Sequence, residues 1–140
     1  MALQHRYTLV CEDIRQENTG KWIITGLYPG SITTSQLPFL LPTLAFFLCL
    51  DADTPGQYKF RFQFTHFASG ALIVPELTGI MGVPKAGAVI LPIKLNNLQF
   101  RAHGSYSVSL QVEGHEPILT EFQVEIGQQP PPLRMPMPGL

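Results

Sequence analysis

The sequence predicts an all-β protein, an antiparallel β-sandwich of seven to eight strands with little or no helix. Apolar and polar residues alternate with a period of two in several segments, as they do in half-buried strands. Turn residues separate these segments at intervals of about 8–12 residues. With 12 glycines and 13 prolines among 140 residues, the composition also favours short elements joined by many turns.

The length and charge of the chain limit the classes of function. A chain of 140 residues predicts one domain. Nine Lys and Arg against ten Asp and Glu give a net charge of -1, without the basic surface that nucleic acids and anionic membranes require. We therefore expect neither nucleic-acid binding nor insertion into a membrane.

The N-terminal part predicts a long hairpin over residues 6–28, with its turn at Asn18–Gly20. Gly26 weakens the second strand and indicates a bulge or a close backbone approach. From Tyr28 to Pro42 the pattern is irregular. Residues 44–50 are apolar on both faces, which is typical of a central strand covered on both sides.

The middle of the chain predicts a strand whose aromatic side faces the core, with Lys59 and Arg61 on its polar side. The aromatic residues are Tyr58, Phe60, Phe62 and Phe64. Residues 71–77 are expected to pair back onto it, and Gly79–Gly87 to form a loop. In the next strand, from Val89, the alternation slips at Asn96-Asn97 as at a β-bulge, and Pro92 indicates an edge position.

Two further strands alternate cleanly, at residues 106–112 and 118–126, and a hairpin loop at 113–117 joins them. Residues 1–127 are therefore assigned to the sandwich. Residues 128–140 hold five prolines and are expected to form a flexible, extended tail, which has either no role or a docking role.

No constellation of residues predicts catalysis, so the chain is expected not to be an enzyme. Cys11 and Cys49 lie in apolar strands, where a thiolate is disfavoured, and the sequence has no G-x-S-x-G motif. Buried free thiols are the simpler interpretation, although a disulfide between them is left open. The N-terminus lacks a signal-peptide pattern, and the apolar stretch Leu37–Leu50 is short of the roughly 20 residues of a membrane span. A cytoplasmic location is expected.

Metal and cofactor sites are not expected either. The four histidines, at positions 5, 66, 103 and 115, show no ligand spacing. Asp51 and Asp53, with Asp13, raise the possibility of calcium, but they supply too few oxygens, and turn chemistry explains the pair at 51 and 53. Glu121 and Glu125 lie on an outer strand face and are interpreted as solubilising charges.

Charges cluster around the first hairpin. The cluster is interpreted as a solvated turn, and the alternative is an inter-subunit or ligand-recognition ridge in which Arg15 pairs with Glu12 or Glu17. The run Cys11-Glu12-x-x-Arg15-x-Glu17, with Gly20-Lys21 and then Gly26-x-Tyr28, resembles the opening of a bacterial family of small all-β proteins of unknown function. The resemblance implies a bacterial or phage source, and it does not imply any particular activity. The strand openings Gly56-x-Tyr58 and Gly104-x-Tyr106 are similar to those of immunoglobulin-like and C2-like sandwiches.

The first hypothesis for function is a non-enzymatic protein-binding or assembly module that acts through its edge strands. It includes a homo-oligomer, on the expectation that Leu37–Leu50 is incompletely buried by its own chain. The alternatives are a small-molecule or carbohydrate-binding protein, or a hydrolase, with a pocket near Gly79–Gly87, and a calcium-dependent module that uses Asp51 and Asp53.

Overall fold

A computed structural model describes residues 3–127, and every regular element among them is a β-strand. The all-β prediction is therefore confirmed. The described residues form nine strands rather than seven or eight: β1 (Leu3–Gln16), β2 (Trp22–Tyr28), β3 (Ser31–Thr34), β4 (Phe39–Ala52), β5 (Gly56–His66), β6 (Leu77–Val83), β7 (Gly87–Phe100), β8 (Gly104–Val112) and β9 (Ile118–Ile126). Residues 3–127 therefore contain no candidate membrane-spanning helix.

The strands form two sheets, one in the order β2-β1-β4-β7 and the other in the order β3-β9-β8-β5-β6. All pairings are antiparallel except that of β3 with β9, which is parallel. The prediction of a purely antiparallel protein is wrong at this one point. The four residues of β3 lie in the segment that looked irregular, because its pairing depends on the distant β9.

The main core lies between the two sheets. Phe46 of β4 is fully buried, and its ring centroid is 5.6 Å from that of Phe62 and 6.2 Å from that of Phe122 in the other sheet. Tyr58, Phe62 and Phe64 are buried in this core, and Phe60 packs against it at partial exposure. The inward orientation predicted for the aromatic row is confirmed.

Strand β4 is buried on both faces, as its apolar run predicts. Residues 44–50 are all buried. Ala45 and Phe47, on the outer face, form a second, smaller cluster with Cys11 and Ile14, and Trp22 packs against it. The expectation that Leu37–Leu50 is incompletely covered is therefore wrong for this part, since the chain covers it itself. Leu40 is the large side chain of the segment that stays mostly exposed.

The slip in alternation predicted at Asn96-Asn97 is present, but it involves two strands. Asn97 has a φ of 55°, the left-handed conformation that non-glycine residues rarely adopt. Pro42 occupies the facing position on β4, between the pairs Leu41–Leu98 and Thr43–Asn96. The pairing register is the same on either side of this point, so neither strand has an extra residue. Instead, the alternation of buried and exposed side chains shifts by one residue in both strands.

The segment Gly79–Gly87, expected to be a loop, is largely strand. Residues 77–83 pair with β5, and Met81 and Val83 point into the main core. The burial of these two side chains offsets the weak strand preference of Gly79 and Gly82.

Candidate binding site

Strand β6 is an open edge. It ends one sheet and pairs only with β5, so its other side presents backbone N–H and C=O groups to solvent. Its sequence, from Leu77 to Val83, contains no charged residue and no proline. The side chain of Ile80 is 60% exposed. These are the properties of an edge that can accept another strand.

The strands at the other three sheet ends, among residues 3–127, are less open. On β7, Pro92 has no N–H to donate, Lys94 carries a charge, and Asn97 distorts the backbone. On β2, Gly26 has a φ of 67° and interrupts the regular pairing with β1. Strand β3 has only four residues. Of the four strands that end a sheet in residues 3–127, β6 therefore has the fewest devices against strand addition.

A groove with a volume of about 570 Å³ lies beside this edge, on the outer face of the sheet. We call it the β5–β6 groove. Its lining comes from β5, β6, the end of β8 and the following turn: Lys59, Phe60, Arg61, Thr78, Gly79, Ile80, Gln111, Glu113 and Gly114. It lies at the start of the segment for which a pocket was predicted, and a second concave surface includes Gly82, Val83 and Pro84.

The strand register positions the polar groups of the groove. Lys59 lies opposite Ile80, and Arg61 lies between Thr78 and Gln111. The turn after β8 is fixed by a 2.9 Å hydrogen bond from the Glu113 N–H to the Lys59 carbonyl oxygen. Neither Lys59 nor Arg61 forms an ion pair within residues 3–127. The groove therefore combines the apolar Ile80 at the edge with two basic residues behind it and the acidic Glu113 at the turn.

In the charge cluster of the first hairpin, Arg15 pairs with a carboxylate other than the two considered in the alternative interpretation. Arg15 pairs with Asp13 at 3.0 Å rather than with Glu12 or Glu17, and Lys94 of β7 approaches the other carboxylate oxygen at 3.0 Å. The hydrogen bonds from Lys94 and Arg15 lower the pKa of Asp13 to about 2. This cluster links β1 to β7 across the outer face of the sheet.

The remaining candidates lie apart from one another. Cys11 and Cys49 are buried and free, and burial raises the pKa of the Cys11 thiol. Asp51 pairs with Arg6 at 3.4 Å. Across residues 3–127, no three His, Cys, Asp or Glu side chains come together as metal ligands. The proline-rich segment 128–140 lies outside the described residues.

Comparisons with known proteins identify a family and a similar fold, and they identify no function. A model of a family of unknown function (DUF6941) matches residues 6–125. No curated protein matches the chain. A solved structure of a Pseudomonas fluorescens alkylpurine DNA glycosylase, AlkC, bound to DNA containing an abasic site analog, is similar over 88% of this chain, at 10% identity and a TM-score of 0.50. The chain spans 30% of the length of that glycosylase, and the likeness concerns the fold alone.

Proposed function

The chain belongs to the family of unknown function DUF6941, and we propose that it is a non-enzymatic protein-binding module whose open β6 edge accepts an extended strand. The observation that carries this proposal is the uncharged, one-sided edge Leu77–Val83 with the exposed Ile80. The assignment of a bacterial source and of a cytoplasmic location stays a prediction.

Strand addition uses the groups that β6 leaves unpaired. An incoming strand gains main-chain hydrogen bonds from the edge, and its alternate side chains contact the neighbouring surface, which supplies specificity. In this chain that surface is the β5–β6 groove, where Ile80 offers apolar contact and Lys59 and Arg61 offer positive charge. Proteins that do not use an edge in this way commonly protect it with charge, proline or a bulge.

We assign the fold to the immunoglobulin-like sandwiches. The buried Tyr106, near the start of β8, donates its hydroxyl to the Ala102 carbonyl oxygen four residues upstream. This is the hydrogen bond of a tyrosine corner, which recurs in immunoglobulin-like domains. The pairing of β4 with both β1 and β7, and of β8 with both β5 and β9, corresponds to the two sheets of such a domain.

The test of the proposed function is the selection of displayed random peptides on the wild-type protein, followed by amide hydrogen exchange of the complex. We expect the selected peptides to protect amides of Leu77–Val83 and to lose binding to Ile80→Lys, because a charge guards the edge. Leu119→Lys is the matched control, since Leu119 is 64% exposed on β9. Peptides that bind Ile80→Lys unchanged, or that protect other amides, would contradict the proposal.

A second candidate function is the binding of a carboxylate-bearing small molecule. It is supported by the volume of the β5–β6 groove, which lies within the ~300–1,000 Å³ of ligand pockets. It is also supported by Lys59 and Arg61, which form no ion pair within residues 3–127. Citrate is the probe. Stabilisation by citrate that the double substitution Lys59→Ala/Arg61→Ala removes and Ile80→Lys retains would favour this candidate, and no stabilisation would remove it.

A further inference from the structure

We propose that the occupant of the β6 edge is the β6 strand of a second copy, paired antiparallel about a two-fold axis at Ile80. The two five-stranded sheets then form one continuous sheet of ten strands. This inference rests on the proposed function and names the partner. A two-fold interface uses the same surface on both copies, so the edge must be complementary to itself.

The sequence of β6 meets this requirement. Along an edge strand, the backbone N–H and C=O groups of every second residue point outward. Two copies of one strand therefore pair antiparallel in a register that is centred on one residue, which lies opposite its own equivalent. With Ile80 at the centre, Leu77 lies opposite Val83, Thr78 opposite Gly82 and Gly79 opposite Met81. Each glycine faces a larger residue, and no charge lies anywhere in the paired stretch.

The charges that flank β6 favour the antiparallel arrangement. Glu76 precedes the strand and Lys85 follows it two residues after its end. In the antiparallel pair, Glu76 of one copy lies at the end where Lys85 of the second copy is found, and this occurs twice. A parallel pair would instead bring like charges together.

Both charges are available for this contact. The Glu76 carboxylate accepts a 2.7 Å hydrogen bond from the Gln63 amide, which leaves its negative charge uncompensated. Neither Glu76 nor Lys85 forms an ion pair within residues 3–127.

Apolar contact adds to the backbone pairing at the centre of the interface. Ile80 lies on the outer face of the sheet, and the two-fold axis brings it against Ile80 of the second copy, since facing side chains in paired strands have Cβ atoms about 4.5–5.5 Å apart. The pairing would cover the largest apolar group that β6 exposes.

Sedimentation velocity over a concentration series tests the proposal, with charge reversal as the specific probe. We expect the wild-type chain to dimerise, and Glu76→Lys or Lys85→Glu alone to weaken the dimer about tenfold through two repulsive contacts. An equimolar mixture of the two variants should form a heterodimer as tight as the wild type, because both contacts become attractive again. Ile80→Lys should abolish the dimer, and Leu119→Lys should leave it intact.

A wild-type chain that stays monomeric at its highest soluble concentration overturns the second copy as the occupant. So does a variant mixture that does not restore association while each variant retains the wild-type circular dichroism spectrum. Either result, combined with selected peptides that still protect Leu77–Val83, leaves strand addition standing and refutes only the inference.

Discussion

At the scale of the residue, Asp13 shows how a charge-poor chain uses one carboxylate. Lys94 of β7 and Arg15 of β1 each lie 3.0 Å from one of its oxygens. The sequence predicted a charge cluster around Arg15, but it could not identify Asp13 as the acceptor, because Lys94 is distant in sequence and only sheet pairing brings it near. The lowered pKa of Asp13, about 2, is the measurable consequence of that pairing.

We expect Asp13→Asn to destabilise the protein near neutral pH, by an amount that disappears on acidification. The unfolded pKa of Asp is about 3.9, so as pH falls the unfolded state takes up the proton first. The contribution of Asp13 is therefore complete above about pH 5 and is lost as pH falls through about 2. Urea titrations of the wild type and of Asp13→Asn, from neutral pH down to about pH 2, measure the difference in unfolding free energy.

Glu125→Gln is the control for this experiment, because Glu125 forms no ion pair within the described residues and lies exposed on β9. A stability difference between wild type and Asp13→Asn that stays constant over the whole acid range would show that the carboxylate contributes by its shape rather than by its charge.

At the scale of the element, β6 is built around the absence of a side chain at Gly79. A Cβ at this position would lie 2.8 Å from Cζ of Phe60, whereas a Cβ at Gly82 would meet nothing within 4 Å. Phe60 lies opposite Gly79 in the sheet, so its ring packs across the space that the glycine leaves. The two glycines of β6 therefore have different roles.

We expect Gly79→Ala to destabilise the protein by about 1–3 kcal/mol, because the Phe60 ring must leave its position. Gly82→Ala should be neutral or stabilising by about 0.5 kcal/mol, since it removes only the entropic disadvantage of glycine in a strand. Chemical denaturation of the two variants measures the contrast. Equal losses would show that the Phe60 contact does not determine the outcome.

The same glycines explain which elements the sequence could predict. The aromatic row from Tyr58 and the alternating runs of β8 and β9 were predictable because each strand carries its own pattern of buried and exposed residues. Gly79 and Gly82 remove one side chain from each face of β6, and Ser31–Thr34 of β3 is too short to show a pattern. The β5–β6 groove required the register between three strands, which no local pattern contains.

At the scale of the whole molecule, β4 serves two apolar clusters. Phe46 packs in the main core against the opposite sheet, while the adjacent Phe47 packs on the outer face, with its ring centroid 5.7 Å from that of Trp22. The alternation of one strand thus separates a core that joins the sheets from a cluster that covers one of them.

We expect Phe46→Ala to cost about 3–5 kcal/mol of unfolding free energy, because it leaves a cavity among aromatic rings from both sheets. Phe47→Ala should cost less, since the outer cluster borders solvent and Trp22 can move into the space. Both variants remove the same atoms, so their difference in denaturant midpoint reports the position alone. A larger loss for Phe47→Ala would contradict this division of the core.

The position of β4 in the chain also affects synthesis. Its partner β1 leaves the ribosome first, but its other partner, β7, begins only at residue 87, after β4 has ended at residue 52. At ~5–20 residues per second, residues 89–95, which pair with residues 44–50 on this side, are synthesised roughly two to ten seconds later. Chaperone demand on the nascent chain should therefore peak in this interval, and newly made protein should be most prone to aggregate then.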